Sequence, residues 1–183
     1  FSFIDTMATV VDAFNFFNDF GSPELLVDRE LTDIEEDDRS IVNLLTDQIE
    51  FADVVIINKS DLVDKNTLDL LEAMITKLNS RAKIIKTSHS KVPLKAVINT
   101  GLFDYDEAEQ SAGWIEELNK PEHTPETEEY GIGSFAFRSK KPFNSERFWN
   151  YIQNDFPHNV IRSKGLFWLD SRPNQAMTWG QAG

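Results

Sequence analysis

The sequence predicts an α/β fold built on a parallel sheet, followed by a smaller α+β unit. Apolar strand candidates alternate with helical stripes through the first half of the chain, and this alternation is typical of parallel sheets. After an acidic segment that contains two prolines, the balance of charge changes from acidic to basic, which indicates a second structural unit. We therefore expect one domain over 1–120, a linker over 121–129 and a second domain over 130–183.

The first domain is predicted to contain three strands and two longer helices. Strand candidates are short runs of apolar or β-branched residues, whereas helix candidates carry apolar residues three and four positions apart. In chain order these are a strand over 7–12, a helix over 39–51, a strand over 53–57, a helix over 62–79 and a strand over 82–87. A short helix and turn over 93–102 and an acidic, exposed helix over 104–118 are expected to follow.

The second domain is predicted from a change in pattern after the linker. A strand over 130–138, an amphipathic helix over 145–156 and a strand over 160–169 are expected, with a further strand beginning at 177–179. Strands with alternating faces beside a helix indicate a small α+β unit. The pattern stops without an obvious closing element, so we expect this domain to be incomplete.

Composition excludes several classes of protein. The net charge of −13 argues against a nucleic-acid partner, because phosphate binding needs a basic surface. The sequence shows neither an apolar run of about 18 residues nor the pattern of a secretion signal, so we expect no membrane partner. With no Cys, a disulfide framework and a thiolate metal site are excluded within this segment. A cytoplasmic setting fits these observations best.

The most specific motif is Asn58-Lys59-Ser60-Asp61, which directly follows the second predicted strand. The Asp61 carboxylate can accept hydrogen bonds from N1–H and N2–H of guanine together, which adenine does not offer. We expect Asn58 to brace the loop and the stem of Lys59 to lie along the purine face. Ligands of open α/β sheets bind at the carboxyl ends of the strands, where this loop falls. The alternative is a surface turn, since Asn and Asp are common turn residues.

Two further residues at strand ends are candidates for the same site. Ser88 follows the third strand, where its backbone N–H can meet O6 of guanine, although Ser is also common in ordinary turns. Asp12 ends the first strand and is a candidate for contact with a magnesium-bound water or for orienting a switch. An ordinary strand-end turn residue is the alternative for Asp12.

The sequence offers little for metal binding or phosphate chemistry. Its three imidazoles are His89, His123 and His158, and no two have the spacing of zinc ligands. His123 lies among glutamates in the linker and is a weak zinc candidate, with a solvated acidic linker as the alternative. The chain contains no Gly-x-x-x-x-Gly-Lys-Ser/Thr phosphate loop. We therefore expect it to be part of a longer protein and to be inactive alone, without a catalytic residue of its own.

Several segments, in order along the chain, carry a family resemblance. They are Asp5-Thr-Met-Ala-Thr-Val-Val-Asp12, Asn58-Lys-Ser-Asp61, Asn99-Thr-Gly-Leu-Phe-Asp104, His123-Thr-Pro-Glu-Thr-Glu-Glu-Tyr-Gly131 and Arg162-Ser-Lys-Gly-Leu-Phe-Trp168. This series resembles the CobW-like GTPases, which are P-loop proteins that act as metallochaperones. The resemblance is greatest to the bacterial zinc-homeostasis branch of that family.

The resemblance implies the carboxyl-terminal half of a P-loop GTPase domain, followed by a CobW carboxyl-terminal domain. It implies a parent protein that binds GTP with Mg²⁺, hydrolyses GTP and delivers Zn²⁺ to a client protein. In the family, an upstream P-loop and a Cys-x-Cys-Cys motif hold the phosphates and the metal. Two alternatives stay open: a nucleotide-independent module whose basic and aromatic carboxyl region binds a protein, and a GTPase that serves cobalt (cobalamin) or nitrile hydratase metal insertion.

Overall fold

A computed structural model describes residues 3–22, 24–26, 28–29, 40–105 and 132–182. The chain divides into two compact units, Phe1–Ser134 and Phe135–Gly183. The linker predicted over 121–129 and most of the helix predicted over 104–118 lie outside the described residues. The domain limits expected around that linker therefore stay a prediction.

The first unit is built on a parallel sheet of three strands in the order β1-β2-β3. The strands are β1 (Ala8–Asp12), β2 (Val54–Asn58) and β3 (Lys83–Lys86). The central strand is buried over its first four residues, which explains its unbroken Val and Ile sequence. The predicted α/β fold with a parallel sheet is confirmed.

The described part of this unit contains the helices α1 (Phe16–Phe20), α2 (Ile41–Glu50) and α3 (Lys65–Leu78). The predicted α3 began three residues too early. The Asp64 carboxylate accepts a hydrogen bond from the Thr67 N–H at 2.9 Å and caps the helix, while the preceding Ser60–Leu62 forms a separate 3₁₀ turn. The short turn predicted within 93–102 is present as a 3₁₀ turn at Leu94–Ala96.

Asn79 ties the end of α2 to the turn between α3 and β3. Its side chain is almost fully buried and contacts five backbone groups. The amide nitrogen donates to the carbonyls of Ile49, Glu50 and Ala52, and the amide oxygen accepts from the N–H groups of Arg81 and Ala82. These groups lie next to the amino ends of β2 and β3, so Asn79 fixes the edge of the sheet opposite to its carboxyl ends.

The second unit contains the predicted helix and two of the predicted strands. Helix α4 (Ser145–Asn154) precedes the antiparallel pair β4 (Arg162–Phe167) and β5 (Met177–Ala182). Phe148 of α4 stacks on Phe167 of β4, with ring centroids 4.8 Å apart, and makes a T-shaped contact with Trp179 of β5. Aromatic contact therefore holds the helix on the two-stranded sheet.

The strand predicted over 130–138 is wrong in the part that the structure describes. Residues 132–138 form no strand, and they pair in no ladder with another described segment. The alternation of their side chains satisfies the sequence pattern of a strand, but a strand also needs hydrogen-bonding partners. Within the described part of this unit, β4 and β5 take each other as partners.

Candidate guanine-nucleotide site

Polar segments from all three strands of the first unit meet at the carboxyl edge of the sheet. Asp12 ends β1 and Asn58 ends β2, and the two residues are partners in the parallel register. Thr87 follows β3 and donates its N–H to the carbonyl of Ile57 at 2.8 Å. The predicted Asn58–Asp61 loop therefore lies between the end of β1 and the loop that contains Ser88.

Asn58 joins its own loop to the loop after β3. Its amide nitrogen donates to Oγ of Ser90 at 3.0 Å, and its amide oxygen accepts from the Ser90 N–H at 2.9 Å. His89 and Ser90 both have left-handed backbone conformations, with φ of 52° and 55°. Such conformations are uncommon outside glycine, so the reciprocal pair stabilises a loop shape that the chain otherwise disfavours.

Lys59 and Ser60 attach the loop to both neighbouring strands. Lys59 has a left-handed backbone, with φ 58° and ψ 30°, and its ammonium lies 2.6 Å from Oδ2 of Asp12. Ser60 contacts the β3 side, because its N–H and its hydroxyl both donate to the Thr87 carbonyl, at 3.1 and 2.8 Å. The backbone of the loop is thus held from two directions before any ligand binds.

Asp61 differs from its neighbours because its side chain is exposed and accepts no hydrogen bond from any described residue. Its backbone belongs to the Ser60–Leu62 turn, which is closed by a hydrogen bond from the Leu62 N–H to the Lys59 carbonyl at 3.0 Å. A carboxylate with free oxygens on a fixed backbone is the acceptor pair that adjacent N–H donors of a ligand require. Asp61 can therefore accept two parallel hydrogen bonds from a planar base.

Ser88 is half-buried beside this loop, and the structure gives it free donors. Its carbonyl accepts from the Lys91 N–H at 3.2 Å. Its own N–H and hydroxyl make no hydrogen bond with a described residue. Thr87, which precedes it, is buried and donates its hydroxyl to the Lys91 carbonyl at 2.9 Å, so the turn around Ser88 is held from inside.

Asp12 accepts four hydrogen bonds. Oδ1 accepts from the N–H groups of Phe14 and Asn15 at 3.0 and 3.3 Å, and Oδ2 accepts from the Asn15 amide and from Lys59 at 2.9 and 2.6 Å. Burial alone raises the pKa of this carboxyl, but these hydrogen bonds outweigh burial and hold its pKa below the ordinary value. All of its lone-pair positions are used, which argues against the predicted contact with a magnesium-bound water.

Sequence reasoning misses one contact at this edge and one at the opposite end of β1. Ser90 was not a candidate, because its link to Asn58 depends on two successive left-handed residues that the spelling does not signal. Asp5, which precedes β1, accepts hydrogen bonds through its carboxylate from the N–H groups of Thr100 and Gly101, each at 3.0 Å, and residue spacing does not predict these contacts. These hydrogen bonds lower the pKa of Asp5 and fasten the segment around Gly101 to the start of β1.

The described residues do not form a metal site. No cluster of three or more His, Cys, Asp or Glu side chains suited to a metal occurs among them. His89 and His158 are exposed, and His123 lies outside the described residues. The described residues therefore fit neither Mg²⁺ nor Zn²⁺, whereas the exposed carboxylate of Asp61 fits the base of a guanine nucleotide. None of the helices in the described ranges has the length and hydropathy needed to cross a membrane.

Two family models match this chain, and they cover both units. The model for the CobW/HypB/UreG nucleotide-binding domain matches residues 1–86, which include the Asn58–Asp61 loop. The model for the cobalamin synthesis protein cobW C-terminal domain matches residues 132–183. The chain thus carries parts of two domains that match these models, on an α/β fold. It belongs to the CobW-like GTPase family.

Curated relatives of the chain carry names that refer to zinc. It is 42% identical to zinc-regulated GTPase metalloprotein activator 1 of Dictyostelium discoideum over 98% of this chain and 38% of the relative. It is 23% identical to the zinc chaperone YjiA of Escherichia coli over 73% of this chain and 40% of the relative. The Schizosaccharomyces pombe activator 1 is also 23% identical, over 72% of this chain and 40% of the relative. The chain thus spans about two fifths of these relatives, and no solved structure matches it significantly.

Proposed function

We propose that this chain forms the guanine-reading part of a GTP-binding and GTP-hydrolysing metallochaperone. The observation that carries the proposal is the exposed Asp61 carboxylate on a loop tethered at the carboxyl edge of a parallel sheet. Membership of the CobW-like family supports the GTPase class. The names of the relatives support zinc as the metal and a client protein as its receiver.

Four residues, three from the Asn58–Asp61 loop and one from the loop after β3, have a proposed part in binding the base. Asp61 accepts from N1–H and N2–H of guanine, and the stem of Lys59 lies along the purine face. The backbone N–H of Ser88 donates to O6 of guanine. Asn58 acts indirectly, through its reciprocal hydrogen bonds with Ser90 that hold the two loops together. Adenine would leave these buried or fixed polar groups unpaired, and that mismatch is the physical basis of base discrimination.

Phosphate chemistry is proposed to lie outside this chain. Phosphoryl transfer depends on backbone N–H groups, a Lys and Mg²⁺ around the β- and γ-phosphates, and the sequence has no loop of that type. We therefore assign base recognition to this chain, and hydrolysis to the full-length protein with its Mg²⁺. The 183-residue chain alone is expected to release no phosphate from GTP. We also propose a cytoplasmic location for the protein.

Zinc is proposed as cargo that residues outside the described ranges hold. His123 remains the weak zinc candidate of this chain, beside the glutamates of the linker. The alternative of a cobalt or nitrile hydratase GTPase is less favoured, because the relatives named above are zinc proteins by name. The alternative of a protein-interaction module is also less favoured, since Phe167 stacks on Phe148 within its own unit.

The proposal is tested with the full-length protein, purified with Mg²⁺. Phosphate release is measured with GTP and with ATP, and zinc transfer to an apo-metalloprotein is followed with each nucleotide. GTP is expected to be hydrolysed and to promote transfer, whereas ATP does neither. Equal rates with ATP would contradict the guanine assignment. Transfer of cobalt but not of zinc would favour the alternative of a GTPase that serves cobalt insertion.

A further inference from the structure

Asp12 and Lys59 form an ion pair that links β1 to the guanine loop. Nζ of Lys59 lies 2.6 Å from Oδ2 of Asp12, and the two side chains are 43% and 32% exposed. The pair is separated by 47 residues in sequence. Because Asp12 stands opposite Asn58 in the register, the Lys59 stem runs from the end of β2 across to the end of β1.

Asp12 is the fixed member of this pair. Its carboxylate also accepts from the backbone N–H groups of Phe14 and Asn15 and from the Asn15 amide, all within the turn that follows β1. Lys59, in contrast, has a flexible four-carbon stem, and within the described ranges its ammonium is held by the Asp12 carboxylate. The turn therefore orients the carboxylate, and the carboxylate in turn orients the lysine.

We propose that Asp12 is a positioning residue for nucleotide binding, which holds the Lys59 stem across the carboxyl edge of the sheet where the purine binds. This inference rests on the proposed function, because it gives Asp12 a part in the same site. The bound lysine has lost its freedom before the nucleotide arrives, so less conformational entropy is lost on binding. Asp12 acts through Lys59 and has no contact of its own with the nucleotide.

The competing explanation is that the ion pair serves only the stability of the fold. Replacing Asp12 with asparagine distinguishes this explanation from a positioning role. Asp12→Asn keeps Oδ1 as the acceptor for the N–H groups of Phe14 and Asn15, so the turn is retained. It replaces Oδ2 with an amide nitrogen, which can accept neither from Lys59 nor from the side-chain amide of Asn15. The variant therefore breaks the link to the loop and leaves the backbone support of the turn in place.

The test is a double-mutant cycle in the full-length protein, with the dissociation constant of a non-hydrolysable GTP analogue and kcat for GTP as readouts. Asp12→Asn is expected to weaken binding about fivefold, the change that corresponds to one half-exposed ion pair, with kcat unchanged. Lys59→Met should weaken binding by the same factor. The double variant should have the same dissociation constant as Lys59→Met alone. Equal losses from Asp12→Asn in both backgrounds would overturn the inference.

A matched control removes the same charge elsewhere. Asp19 of α1 forms an ion pair with Arg29, with 2.7 Å between Oδ1 and Nη1. Asp19→Asn is expected to leave the dissociation constant unchanged. If Asp12→Asn does not fold, Asp12→Glu serves instead, because the longer side chain displaces the carboxylate from Lys59 while keeping its charge. If Asp12→Glu weakens binding in the wild type but not in Lys59→Met, the positioning role is supported. If Asp12→Glu weakens binding equally in both, the positioning role is contradicted.

Failure of the proposed function is distinguishable in the same assay. Asp61→Asn weakens GTP binding if the loop reads guanine. If Asp61→Asn has no effect, the proposed function fails, and the inference about Asp12 fails with it. Asp61→Asn can instead weaken binding while Asp12→Asn raises the dissociation constant by the same factor with and without Lys59. In that case the loop still recognises guanine, and only the positioning role of Asp12 is wrong.

Discussion

Replacing Asn79 with alanine is expected to destabilise the first unit strongly, because one side chain satisfies five backbone groups. Its amide makes hydrogen bonds of 2.8 to 3.2 Å with three carbonyls and two N–H groups, and the side chain is 7% exposed. Each such hydrogen bond contributes about 1 kcal/mol net, and a buried group left unpaired costs about 1 to 3 kcal/mol. Allowing for water at the partly exposed groups, we expect the free energy of unfolding to fall by about 3 to 5 kcal/mol.

The assay is urea denaturation of the full-length protein, combined with hydrogen exchange of the Arg81 and Ala82 amides. Both amides lose their acceptor in Asn79→Ala and should exchange faster, while the unfolding midpoint falls. Asn66→Ala is the matched control, since Asn66 is exposed on α3 and its loss should change stability by less than about 0.5 kcal/mol. An Asn79→Ala variant as stable as this control would refute the hydrogen-bond reasoning.

Nucleotide preference should not follow this loss of stability. Asn79 binds groups beside the amino ends of β2 and β3, whereas the Asn58–Asp61 loop lies at the carboxyl end. Under conditions where Asn79→Ala is folded, its ratio of GTP to ATP affinity should equal that of the wild type. A changed ratio would show that the two edges of the sheet are coupled.

Two other substitutions probe the interior and the loop brace. Thr46→Val should raise the free energy of unfolding by about 1 kcal/mol. The fully buried Thr46 hydroxyl has no hydrogen-bond partner among the described residues, and valine has the same shape as threonine. A variant that is less stable than the wild type in urea denaturation would contradict this prediction. Asn58→Ala should weaken GTP binding by up to about thirtyfold, because it removes both hydrogen bonds to Ser90, each a neutral contact of about 1 kcal/mol. An unchanged dissociation constant would show that these hydrogen bonds are dispensable for binding.

The sheet of the first unit was predictable because local sequence and tertiary environment agree there. The Val and Ile run of β2 specifies a strand buried on both faces, and the apolar spacing of α3 specifies its buried side. The start of α3 was misplaced because a helix pattern does not distinguish a 3₁₀ turn from a helical turn, whereas the Asp64 cap does. Residues 132–138 failed for another reason, since a strand depends on a partner as well as on its own alternation.

The candidate site was partly predictable for similar reasons. A tetrapeptide that directly follows a buried strand must lie at the end of the sheet, so the position of Asn58–Asp61 followed from the sequence. The partners of its side chains did not. Lys59 meets Asp12 because of the register between β1 and β2, and Asn58 meets Ser90 because two successive residues are left-handed. Neither property is encoded by residue spacing.

The guanine assignment is tested most directly by Asp61→Asn in the full-length protein. The carboxylate is proposed to accept from N1–H and N2–H, and losing hydrogen bonds to a charged group should weaken GTP binding by roughly 2 to 4 kcal/mol, or about thirtyfold to several hundredfold. Xanthine has a carbonyl where guanine has its exocyclic amine, and the Asn amide can donate to it. The dissociation constants of GTP and xanthosine triphosphate are measured for both proteins. We expect the variant to lose GTP affinity and to gain relative preference for xanthosine triphosphate; GTP binding as tight as in the wild type would show that Asn58–Asp61 is only a turn.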